Sequence, residues 1–259
     1  MQVNLVVDLV LASLLPVGAV SWLYFADRVA QLPLGIFGIA LGTALLPRLS
    51  SQFSADDQDG ARASLAQAML FAAFLVIPAT AALLAIAPEI MTGLFAYGAF
   101  TGDAASASAA ALAAYAAGMP AHIMVKILQP AFYATGRPGF VLKVSIAAVA
   151  VNVALSILLM PLYGHVGLAA ATSASGFVAA SALLVRLARD GQLELPTAAS
   201  LLRVGLATLV MLTALYLVLS LLPPLPAAIS LAILVAAGGG AYLVAAVAFR
   251  AVPRQLIQF

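Results

Sequence analysis

Apolar residues run through this chain in long, nearly unbroken stretches, cut by short polar, proline-containing or glycine-containing interruptions. Nothing alternates with a period of two, so the stretches read as helices rather than strands. The pattern predicts helices over about 2–16, 19–47, 62–87, 104–134, 139–160, 166–188, 199–222 and 227–250. The first is short for a full crossing. The second is long and holds Pro33, which removes a backbone hydrogen bond and should bend it. Gly35, Gly38 and Gly42 follow and offer a small face for close helix approach. The fourth is also long, with Gly118 and Pro120 near its middle. The last two are plain Leu/Ala/Val spans joined through Pro223, Pro224 and Pro226. They read as lipid-facing additions to a six-helix unit, which divides the chain into a lobe over 1–190 and two trailing helices over 191–259.

Composition turns that pattern into a class. Of 259 residues, 65% are apolar and 8% charged, against roughly 45–50% and 25% in a globular domain. At about 20 residues per crossing, the apolar content is enough for about eight helices. The expected fold is therefore all-α: a polytopic membrane protein with about eight transmembrane helices.

Several classes drop out. A net charge of +2 leaves no basic footprint for nucleic acid. The absence of cysteine excludes a disulfide framework, a thiolate metal site and a cysteine nucleophile. His122 and His165 are too few and too far apart for a histidine metal cluster. No basic segment follows Met1, so nothing reads as a cleavable signal peptide. No acid/base dyad, nucleophile triad or phosphate loop is present, and the expectation is that the protein is not an enzyme.

Charge placement supplies an orientation. Arg48 and Arg62 flank the connection after the second helix, Arg137 and Lys143 the one after the fourth, and Arg186, Arg189 and Arg203 the one after the sixth; Arg250 and Arg254 close the chain. All nine fall on one side of an alternating topology. The opposite connections carry Glu89, Asp103 and His165 instead. By the positive-inside rule the arginine-flanked side is cytoplasmic, with both termini on it.

Four ionisable groups remain at membrane depth: Asp8, Asp27, Arg28 and Lys126. Each costs about 2.5–3.5 kcal/mol at a helix centre, so such groups face a bundle interior or a wet cavity. Asp27 and Arg28 are adjacent and point about 100° apart, so each needs a different partner. They form either a buried ion pair between helices or a site where Arg28 grips an anion. Lys126, four residues after His122 and on the same face, either snorkels to the interface or lies in a cavity. Asp8 is neutral, paired, or a ligand for a hard cation such as sodium. Asn152 and Thr172 are oxygen donors that such an ion accepts, or else interhelical hydrogen-bonding groups.

The residues also carry a resemblance. The segment from Ser21-Trp22-Leu23-Tyr24-Phe25-Ala26-Asp27-Arg28 through Leu32-Pro33-Leu34-Gly35-Ile36-Phe37-Gly38 to Pro47 is similar to the signature of the MurJ/MviN lipid II flippases. Leu94–Thr101 and Val125-Lys126-Ile127-Leu128-Gln129-Pro130 extend the likeness. That family, within the multidrug/oligosaccharidyl-lipid/polysaccharide exporter superfamily, has fourteen helices, of which this chain resembles helices seven to fourteen.

The resemblance implies flipping of lipid II, the undecaprenyl-diphosphate-linked peptidoglycan precursor, across the bacterial plasma membrane by alternating access. It implies a cationic cavity in which Arg28 is the second-lobe arginine; Asp27 and Lys126, read from their depth in the membrane, are placed in the same substrate site. It implies a sodium site to which Asp8, Asn152 and Thr172 correspond, with Ser156 standing where the family has a carboxylate. No cofactor is implied beyond a coupling ion, Na+ or H+. The implied partners are lipid II, membrane lipids and a first lobe, in cis or as a separate chain. Two other readings stay open: a truncated, non-transporting membrane module, and an exporter of another polyprenyl-linked oligosaccharide.

Overall fold

The computed structural model describes residues 10–98, 100 and 102–252, the side chains of 36–44 apart. Among these residues the helices follow in the order α1 (Ala19–Ser54), α2 (Gln58–Ala85), α3 (Ala87–Phe95), α4 (Gly102–Ala134), α5 (Pro138–Tyr163), α6 (His165–Arg189), α7 (Ala198–Leu221) and α8 (Ala227–Ala248). Among the described residues six of them, α2 and α4 to α8, are long and apolar enough to cross a membrane. At 36 residues, α1 also exceeds the length a crossing needs. The protein is an all-α polytopic membrane protein, as its hydropathy predicts. Most of the expected helix over 2–16 lies outside the described residues.

Two boundaries differ from the sequence expectation. The second helix does not stop at Pro47 but runs on to Ser54. Leu49 there is almost fully buried, and its packing holds the extra turns against the bundle despite the backbone bond that Pro47 lacks. Asp57 then caps α2, its Oδ1 accepting from the Gly60 N–H at 2.9 Å. The stretch 88–103, expected as a connection, contains α3. Pro88 in its first turn and Glu89 beside it restart a helix after the break at Ile86.

The helix α4 is the hub and packs against α1, α2, α3 and α6. It approaches α6 closely, where small residues let the backbones meet. A Cβ on Gly118 would sit 2.5 Å from the Ser173 Cα, and one on Gly176 would sit 2.8 Å from the His122 ring. Ser173 Oγ donates across this seam to the Ala114 carbonyl at 2.6 Å. The helices α5 and α6 form a hairpin about Gly164, whose φ of +58° favours glycine. The last pair, α7 and α8, packs on α2 and α3, with the Tyr242 hydroxyl donating to the Phe74 carbonyl.

The arginine-bearing connections share one end of the bundle. Arg137, before α5, bonds Asp190 after α6, and the Arg62 side chain comes up to Gly191. At the other end Trp22 meets His165 edge-on at 5.0 Å, His165 Nε2 lies 2.9 Å from the Ala107 carbonyl, and Phe25 packs with Phe95 and Phe100.

Candidate functional site

The helix α1 presents two faces. Leu23, Ala26, Ala30 and Leu34 recur every three to four residues and are buried in the bundle, mainly against α4. Tyr24, Arg28 and Leu32 form the opposite stripe, which no described helix covers. The Arg28 guanidinium lies over the Tyr24 ring, 4.9 Å from its centroid, a cation–π contact that lays the side chain along the helix. Asp27 accepts instead from Gln31 one turn on. Among the described residues Arg28 has no carboxylate partner. The two neighbours thus act separately, as their 100° offset requires, and among the described residues neither pairs with a charge on another helix.

Lys126 points from α4 toward α1 and is half-buried. Its Nζ donates to the Leu34 backbone carbonyl at 3.3 Å, one residue after Pro33. His122, one turn earlier, lies against Gly176 and the Thr172 backbone of α6. The shared face of His122 and Lys126 is therefore the seam where α4 meets both α1 and α6.

The third group lies between α5 and α6. Asn152 is fully buried, and its Nδ2 donates to Thr172 Oγ1 at 3.0 Å. That leaves Asn152 Oδ1 buried with no hydrogen-bond partner among the described residues, and Ser156 Oγ, one turn along the same helix, is in the same condition. Orphaned buried oxygens are uncommon, because each has lost its water without replacement. A neutral amide oxygen and hydroxyl oxygens are the donor type a hard cation takes. Asp8, the expected charged ligand, lies outside the described residues. Those residues contain no cluster of three or more His, Cys, Asp or Glu for a transition metal.

One assembly was not foreseen from sequence. Arg137 donates through Nε to Thr135 Oγ1 at 3.0 Å, through Nη1 to Asp190, and through Nη2 to Gln192 Oε1 at 2.6 Å. Arg186 reaches the same Asp190 through Nε at 3.2 Å. The hydrogen bond from Arg137 holds the Asp190 carboxyl below the usual carboxylate range, with both arginine charges adding to it. The available signal was an acid directly after Arg189 in an arginine-flanked connection, 53 residues from its partner.

This architecture defines a class: a multi-pass helical membrane protein. A solved structure described as lipid II flippase MurJ in an inward closed conformation superposes with a TM-score of 0.78 at 26% identity, over 99% of this chain and 52% of that one. A MOP superfamily transporter from Pyrococcus furiosus shares the fold, with a TM-score of 0.63 at 18% identity over 96% of this chain and 55% of that one. The family model described as lipid II flippase MurJ matches residues 1–237. Probable lipid II flippases MurJ of Vibrio cholerae and Rhizobium tropici are 36% and 38% identical over 68% and 74% of this chain. The chain belongs to the lipid II flippase MurJ family. It spans about a third of the length of these two relatives, 34% and 36% respectively.

Proposed function

We propose that this chain is the second lobe and tail, helices seven to fourteen, of a carrier that moves lipid II from the cytoplasmic to the outer leaflet of the bacterial plasma membrane. The observation that carries this reading is the uncovered stripe of α1. A cation at membrane depth without an acidic partner is costly in lipid. Arg28 has that position, so the stripe belongs against a wet, anion-accepting cavity closed from the far side by another set of helices. The guanidinium can take two phosphate oxygens in a bidentate fork, as a diphosphate head group offers. Tyr24 braces it along the uncovered face of α1. A cationic drug would instead require a carboxylate there.

Asp27 and Lys126 support the cavity from either side. Asp27 is anchored on Gln31, so among the described residues Arg28 keeps its charge without a carboxylate partner. Lys126 adds a second positive charge on the seam between α1 and α4 while tying the two helices together. Alternating access then follows from two lobes rocking about the shared cavity. The arginine-rich end is the cytoplasmic one, placing both termini inside.

The orphaned oxygens of Asn152 and Ser156 fit a sodium site, with Asn152, Thr172 and Asp8 as the residues that would hold the ion. The chemistry such an ion supplies is a gradient-driven bias between two conformations of the carrier. The residues themselves supply a dry seat joining α5 to α6.

The test of the cargo path is Arg28→Ala in the complete two-lobed carrier, in a strain depleted of its own flippase. The expected outcome is loss of growth at normal membrane expression. Wild-type growth from that variant would remove Arg28 from the cargo path.

A further inference from the structure

At the arginine-rich end a cleft of about 440 Å³ opens between the start of α5 and the last turn of α6. Phe132, Gly136, Arg137, Phe140, Lys143 and Arg186 line it. Three of these are cations, and among the described residues the carboxylate in contact with them is Asp190. Arg137 is committed to Thr135, Asp190 and Gln192, so it shapes the wall. Arg186 spends only Nε on Asp190, and its two terminal nitrogens make no hydrogen bond among the described residues. Lys143 is exposed and pairs with no carboxylate among them.

Aromatic rings hold these cations in place. Phe132 and Phe140 stack at 5.2 Å, Arg137 lies over Phe132 at 5.3 Å and Arg186 over Phe140 at 5.8 Å. The cleft thus keeps two positive charges beyond the one that Asp190 offsets, with Arg137 and Arg186 braced on rings. Below it, toward the membrane centre, the outer face of α5 is bare and apolar: Leu142 is 61% exposed and Ile146 60%, with Val185 of α6 alongside at 50%. A braced cationic cleft above a bare apolar stripe is the amphipathic pattern of a phospholipid.

We propose that this cleft binds the phosphate of an anionic phospholipid head group, with Lys143 and the free end of Arg186 as its cationic ligands and the acyl chains along the α5 face. The site is separate from the cavity of Arg28 and does not depend on the cargo assignment. A soluble phosphate could meet the same cations but would make no use of the apolar stripe.

The test is native mass spectrometry of the purified full chain in detergent, with phosphatidylglycerol or phosphatidylcholine added. Wild-type protein is expected to retain phosphatidylglycerol at least tenfold better. Lys143→Gln at its exposed position should lower that preference about fivefold, and Lys143→Glu with Arg186→Glu should abolish it while helical circular dichroism stays unchanged. Arg28→Ala should leave it intact, which separates this site from the cargo path. Equal retention of the two lipids by wild type, or an unchanged preference in Lys143→Gln, would overturn the proposal. Displacement of the lipid by an equal concentration of inorganic phosphate would overturn it as well, by showing that the acyl chains contribute nothing.

Discussion

The ammonium of Lys126 on α4 donates to the backbone carbonyl of Leu34 on α1, at 3.3 Å and across 92 residues of sequence. The bond falls beside Pro33, whose missing N–H already leaves the Val29 carbonyl without its intrahelical partner. A side chain from the neighbouring helix therefore engages α1 where its own hydrogen-bond ladder is weakest. Lys126 acts here as a tie inside the bundle, whatever further part its charge takes in the cavity.

Removing that tie should be measurable. Lys126→Met keeps the length and apolar volume of the side chain and deletes the donor. A polar bond between helices in a membrane is worth about 0.6 kcal/mol on average and up to about 1.7. The variant is expected to lose stability in that range by unfolding in detergent. An unchanged unfolding midpoint would show that the bond adds nothing to the packing of α1 on α4.

The seam between α4 and α6 gives a contrast between two glycines. In Gly118→Ala the new methyl meets the Ser173 backbone at 2.5 Å, and backbone cannot swing away. A cost of about 1–3 kcal/mol is expected from such overpacking. In Gly176→Ala the methyl meets the end of the His122 ring at 2.8 Å, which can rotate aside. The thermal stability of the second variant should fall less than that of the first; the reverse order would refute this account of the seam.

Asp190 sets a pH dependence at the arginine-rich end. Its folded-state pKa lies below the ordinary value because Arg137 hydrogen-bonds its charged form. The stabilisation is therefore fully present above the unfolded aspartate value near about 4, and it fades as pH falls through the lower folded value. Asp190→Asn is expected to lower the thermal midpoint at pH 7, and the gap from wild type should narrow as the pH falls below the ordinary aspartate value. A gap independent of pH would mean that the charge of Asp190 contributes nothing.

The orphaned oxygens between α5 and α6 predict ion-dependent stability. Replacing choline by sodium at constant ionic strength should raise the melting temperature of the wild-type chain. Asn152→Ala and Asp8→Ala should each abolish that rise. Removing Asn152 also removes its bond to Thr172, so Asp8→Ala is the cleaner comparison. A rise of equal size in both variants would discard the sodium site.

The sequence by itself determined the class of this protein, the approximate place of most of its helices and the end at which its positive charges gather. These are one-dimensional properties: length per crossing, apolar content and the order of charged connections need no knowledge of what touches what. Tertiary structure decided which way the helices face. A helix that is apolar all round shows no stripe to say which side is inward, so nothing local in α1 or α5 told whether Arg28 would be covered or Asn152 buried. It likewise placed Lys126 on Leu34 and Arg137 on Asp190, pairings that depend on the rotation and depth of rods joined through more than fifty residues. The same reason explains α3: Pro88 and Glu89 are weak local start signals, and it is packing against α4 and α8 that supports nine residues as a helix, a length marginal in isolation. In a chain this uniformly apolar, burial tells helices to form, and only the few polar atoms seeking partners tell them how to turn.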